Sequence, residues 1–139
     1  MSSPLIVLSR RIGNDEGLCN FRSVVYIVNK PGIATAIPVR RYSFGEFTLS
    51  VLGDIESSDG IHYAYVMAVI QGQDPEPGIY LTAEKGTGEG YDMRLVMHDG
   101  EEVIGHSVQW DNLDIFVAEA INIVSRVLNL SDEVPYQLM

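Results

Sequence analysis

The residues of this chain that could do chemistry are three histidines, one cysteine, a glycine-rich loop beside a lysine, and several paired carboxylates. His62, His98 and His106 are the candidate metal ligands. A zinc site needs N and S donors converging at close spacing. A β-hairpin turning at Asp99-Gly100 would put His98 and His106 on opposite faces, and His62 falls in a different strand. No Cys–Cys or His-x-x-x-His spacing helps, so the sequence predicts neither a metal nor a cofactor. Cys19 could act as a nucleophile only with a histidine beside it in space; otherwise it is a small hydrophobe. Lys85-Gly86-Thr87-Gly88-Glu89-Gly90 invites comparison with a phosphate-binding loop, but there the lysine follows the glycines and a helix comes next. Here the lysine leads, a strand follows, and Glu89 would repel phosphate. Asp15/Glu16, Asp74/Glu76 and Glu101/Glu102 lie in or beside turns. General acid–base work needs carboxylates shifted by burial in a cleft. No catalytic residue is therefore named, and the reading leans away from an enzyme. An enzyme would require a histidine to converge with a carboxylate or with Cys19.

Two sets of residues suggest binding instead. Arg10, Arg11, Arg40 and Arg41 are basic pairs in an otherwise acidic chain. With Tyr63 and Tyr65 they make a candidate site for a small anionic or aromatic ligand, since arginine forks and aromatic edges suit such groups. The second set is acidic: Asp54, Glu56 and Asp59, then Asp74 and Glu76, then Glu89. The net charge is −10, and it is uneven: residues 1–45 carry +4 and residues 46–139 carry −14. A field this negative repels phosphate backbones, so no nucleic-acid partner is expected. The leading expectation is a non-catalytic binding protein, of immunity, inhibitor or chaperone type, whose acidic surface recognises a basic protein partner. The alternative is a small-ligand protein with a pocket between sheet and helix.

The elements that must position these residues follow from periodicity. Turn signals arrive at short intervals and apolar alternation fills the gaps. Strands are predicted at 5–9, 21–29, 34–42, 46–55, 61–71, 78–85, 92–98 and 101–107. Pro38 cannot donate a ladder hydrogen bond, so its strand should be an edge or carry a bulge. Residues 61–71 are apolar on both faces, with Tyr63, Tyr65, Met67 and Val69 on one side, which places that strand centrally. Turning at Asp99-Gly100 should set His98 opposite Glu101 and Val96 opposite Val103. A helix is predicted over 111–130, capped by Asp111 and stapled by Trp110 against Ile115. Leu113, Phe116, Val117, Ala120, Ile121, Val124, Val127 and Leu128 form its apolar stripe.

One α+β domain over 1–139 results: a strongly curved antiparallel sheet of about seven or eight strands, mostly a meander, on one C-terminal amphipathic helix in a helix-grip-like arrangement. A closed meander barrel with an external helix is the alternative. No stretch is apolar for long enough to span a bilayer, so no membrane partner is expected. A single cysteine and a short N-terminal apolar run point to the cytoplasm. The strand with Pro38, or the apolar tail 134–139, could pair with a second copy in a homodimer.

Overall fold

The computed structural model describes residues 30–86 and 88–139. The strands predicted at 5–9 and 21–29, with Arg10, Arg11 and Cys19, lie outside them. Six long strands follow the turn signals: β1 (Ile33–Phe44), β2 (Phe47–Ser57), β3 (Tyr63–Gln71), β4 (Ile79–Lys85), β5 (Tyr91–Met97) and β6 (Gly100–Ser107). Then come helix α1 (Leu113–Val127) and a two-residue strand, β7 (Tyr136–Gln137). The sheet is antiparallel in the order β6-β5-β4-β3-β2-β1-β7. It is open, with β6 and β7 at its edges, and the barrel alternative does not hold.

β3 is the fourth of seven strands, as its two apolar faces require. Met67 and Val69 face α1; Val66 and Ala68 are buried on the other side. Of the two outcomes that Pro38 allows, an edge strand or a bulge, β1 shows the bulge. Among the described residues its outer side pairs with β7, at Tyr42 and Ser43, and its register with β2 slips between Pro38 and Arg40, leaving Val39 as a bulge. The core lies between the sheet and α1: Leu49, Val51, Met67, Val69, Leu81, Ala83 and Met93 pack with Phe116, Val117, Ala120 and Val124.

The helix starts one residue later than predicted. Asn112, not Asp111, is the cap, and its Oδ1 accepts the Ile115 N–H at 3.1 Å. An uncharged amide here satisfies the same orphan donor. This moves Trp110 two positions ahead of the cap, out of register for the usual staple with the fourth helical residue. Ile115 is left partly exposed, and Trp110 points the tip of its ring at β6: a Cβ at Gly105 would lie 2.9 Å from that tip. Asp114 in the first turn and Arg126 in the last suit the dipole. At the far end Asn129 adopts φ 57°, and the Leu130 N–H reaches the Ser125 carbonyl at 2.8 Å. That is a Schellman closure with Asn in the usual glycine position. Leu130 then sits against the β1–β2 turn, beside Gly45. From there the chain returns to the sheet edge as β7, with Leu138 N–H donating to the Arg41 carbonyl at 2.7 Å. Among the described residues no helix is long and apolar enough to cross a membrane.

Two register expectations are corrected. The β5–β6 hairpin turns at His98-Asp99 and closes on Met97↔Gly100, so Val96 faces Glu101 instead of Val103. A bulge at Ile104 then shifts the register to Met93↔Gly105. The dipeptide Asp-Gly marked the turn, but Gly100 serves as the first paired residue. Second, β3 slips against β4 at Ala64: Tyr63 pairs with Glu84 and Tyr65 with Ala83. The extra residue rotates Tyr63 away from Tyr65, Met67 and Val69, onto the face opposite α1.

Candidate functional site: a cleft of acids and tyrosines

The Ala64 bulge gives one end of the sheet its chemistry. There β1, β2, β3 and β5 converge on the approach to α1 and enclose an open cleft of about 670 Å³. Its lining includes Asp54, Glu56, His62, Tyr63, Tyr65, Tyr91 and Asp111, with Thr35 to Ile37 along β1. Tyr65 forms the back wall. Its ring stacks on Phe116 of α1, with centroids 5.7 Å apart and planes at 30°. On β2 it lies against Gly53, where a Cβ would come within 3.4 Å of the ring. A Cβ there would also press on Val39 at 3.2 Å, so a larger residue would crowd this part of β2.

Next to Gly53 the backbone turns left-handed: Asp54 has φ 49°. The β1–β2 register slips at this point, between Ile37↔Gly53 and Thr35↔Glu56. A non-glycine residue at positive φ carries strain of order 1 kcal/mol, least for Asn and Asp. The strained residue is a carboxylate on the cleft wall. Glu56 accepts a hydrogen bond from Thr35 Oγ1 at 3.1 Å. Among the described residues neither Asp54 nor Asp111 has an ion-pair partner.

Tyr91 closes the cleft on the β5 side. Its ring centre is 6.4 Å from that of His62, and Lys85 Nζ sits 5.3 Å above it. This ring therefore already holds one ammonium group. Tyr63 lines the cleft from the opposite face of the sheet. Its hydroxyl donates to Asp59 at 2.7 Å, and Asp59 also accepts the backbone N–H groups of Gly32 and Ile61 at 3.0 Å each. Burial, reinforced by the bond to Asp59 and the charges of Asp59 and Glu84, holds the Tyr63 phenol far above its ordinary range. It is a permanent donor. Asp59 thus spends its oxygens on the β2–β3 turn and on Tyr63.

The remaining predicted residues fall elsewhere. Arg40 and Arg41 point to opposite faces of β1. Arg40 pairs with Asp114 and donates to the Tyr42 hydroxyl at 3.4 Å, tying the sheet to the start of α1. Arg41 is exposed, and its backbone holds the tail. Asp74 and Glu76 lie in the β3–β4 loop, at the opposite end of the sheet from the cleft. Glu89 lies in the β4–β5 loop, at the cleft's end. The structure therefore brings together Asp54, Glu56, Tyr63 and Tyr65, drawn from two sets that the sequence kept apart. It adds His62, Tyr91 and Asp111. The signal for Tyr91 was its place at the start of a strand just after Gly90; Asp111 was hidden by its reading as a cap. Among the described residues no three His, Cys, Asp or Glu side chains cluster as a metal site would require.

Glu89 also belongs to a clamp. His106 on β6 reaches Asp92 with Nδ1 at 2.8 Å and the Glu89 carbonyl with Nε2 at 2.9 Å. Both partners are acceptors, so both bonds are made only when the ring carries two protons. The bond to Asp92 raises the His106 pKa, desolvation opposes it, and the Glu89 carbonyl and the Asp92 charge add to the rise. An NMR titration of His106 should show a midpoint above the ordinary value of about 6.5, and Asp92→Asn should bring it down. A raised folded-state pKa means that the clamp contributes fully below the unfolded-state value and fades as pH rises through the folded one. A midpoint unmoved by Asp92→Asn would contradict this assignment.

No protein family, curated protein or solved structure matches the chain.

Proposed function

We propose that this is a non-catalytic binding protein, which takes a cationic side chain of a basic protein partner into the cleft between β1, β2 and β3. The observation that carries the reading is the joining of carboxylates and tyrosine rings in one open cleft. Asp54, Glu56 and Asp111 supply the charge, and Tyr65 supplies an aromatic face. A cation over an aromatic face gains about 0.5–2 kcal/mol, more as it is desolvated. Lys85 over Tyr91 shows the same chemistry within the chain. The overall charge of −10 would speed the approach of a basic partner. The single cysteine supports a reducing, cytoplasmic setting for this activity. The volume of the cleft also falls in the range of small-molecule sites, roughly 300–1,000 Å³, so a free cationic ligand is a second reading. The lining favours a cation over an anion.

The test uses fluorescently labelled oligo-arginine and oligo-lysine peptides as probes, titrated at several salt concentrations. Affinity should fall as salt rises. Asp54→Asn and Glu56→Gln should each weaken binding by about 3- to 10-fold, that is about 0.7–1.4 kcal/mol. Asp74→Asn and Glu76→Gln remove the same charge at the other end of the sheet and should have little effect. Binding indifferent to salt, or equally sensitive to charge at both ends, would refute the cleft as the site.

A further inference from the structure

We propose that the outer edge formed by β7 and the tail around it is the contact between two copies of this chain. Among the described residues β7 is the outermost strand on its side of the sheet. Around it Val134, Tyr136, Leu138 and Met139 are exposed by 82%, 70%, 52% and 51%. Pairing of Tyr136 with Ser43, and of Leu138 with Arg41 through its backbone, sets Tyr136 and Leu138 on one face of the edge. Lone exposed hydrophobes are ordinary, but four within six residues at a sheet edge make a patch.

Charge selects the occupant. The segment from Val134 to Met139 carries no charged side chain, in a chain whose net charge is −10. Two such chains repel over most of their surfaces, and the repulsion is least where acidic side chains are missing. The opposite edge shows the contrast: β6 presents Glu101 and Glu102, both exposed, which deter edge-to-edge association. A basic partner would gain nothing from an uncharged strip, whereas a second copy meets an identical one. A two-fold contact is self-complementary, each copy giving and receiving the same side chains. Tyr136 and Leu138 of one copy would cover Tyr136 and Leu138 of the other. The apolar contact leaves the cleft, at the Asp54 end of the sheet, free for its own ligand.

Sedimentation velocity on the full chain, from micromolar to millimolar and at low and high salt, tests the proposal. Dimer should form as concentration rises. Its dissociation constant should fall by about five-fold or more between dilute buffer and half-molar salt, because screening weakens the mutual repulsion. This is the reverse of the salt dependence expected for the basic partner, so the two proposals can fail separately. Tyr136→Glu and Leu138→Glu should each abolish the dimer. Val103→Glu, on the opposite edge, should leave it unchanged. Tyr136→Cys should give a disulfide-linked dimer under mild oxidation, which reports the contact even if the glutamate variants loosen the tail. A monomer at every concentration and salt level overturns the proposal. So does a dimer that survives both glutamate variants.

Discussion

Replacing Phe116 with alanine is expected to lower the unfolding free energy by about 3–5 kcal/mol, the usual cost of removing a buried phenylalanine. Phe116 is fully buried at the centre of the helix–sheet core. The loss has two parts: the transfer energy of the ring, and the cavity left where β3 and α1 cannot close together. On a domain whose total stability is of order 5–15 kcal/mol this is a large fraction. Urea denaturation should show a lower midpoint with an unchanged slope. The same variant should weaken probe binding, because the ring that Phe116 stacks on is Tyr65, the back wall of the cleft. Phe116→Leu keeps most of the volume and should recover most of the stability but not the flat support for Tyr65. A variant that loses stability yet binds the peptides as tightly as the parent would show that Tyr65 does not depend on this stack.

Arg94→Met should cost about 2–4 kcal/mol, because breaking a largely buried ion pair strands the other charge. On the face of the sheet opposite α1, Glu84 is 7% exposed. It accepts Arg94 Nε at 3.1 Å and Thr82 Oγ1 at 2.8 Å. Arg94 also reaches Glu101 at 2.9 Å, but that carboxylate is half exposed and adds little. Without the guanidinium, Glu84 keeps one hydroxyl as partner for a full charge. The double variant Glu84→Gln/Arg94→Met removes both charges and should recover at least half of the loss. A double-mutant cycle by urea denaturation measures the coupling. If Arg94→Met alone cost less than about 0.5 kcal/mol, the pair would not anchor this face.

Much of the fold was legible because each strand is bounded by a turn with its own chemistry, and because the stripe of α1 repeats at helical spacing. Pro38 carried one correct consequence, the bulge, while β7 takes the edge outside its strand. The errors arise where one residue is inserted into an otherwise regular strand. A period-2 reading of residues 61–71 assumes an unbroken pleat, and Tyr63-Ala64-Tyr65 is apolar throughout, so nothing in the residue types marks the bulge at Ala64. The same holds for Asp99-Gly100, where the dipeptide is compatible with a turn before or after Asp99. Asp111 and Asn112 are both good caps, and only the main-chain geometry decides between them. The cleft was half legible. Asp54, Glu56, Tyr63 and Tyr65 were named, but their meeting depends on register slips at Ala64 and beside Asp54. Those are properties of the sheet, not of the side chains.

The strand order bears on how the chain reaches this state. From β1 to β6, neighbours in space are neighbours in sequence, joined by loops of two to seven residues. Each pairing closes a short loop at small entropic cost, so the hairpins can form locally and zip together. β7 is the exception. Its partner Tyr42 lies about 95 residues before Gln137, and its two pairs cannot offset so long a closure alone. The tail can settle only once α1 has docked and its Schellman turn has seated Leu130 beside Gly45. The edge strand is therefore the last piece to arrive and the first to leave.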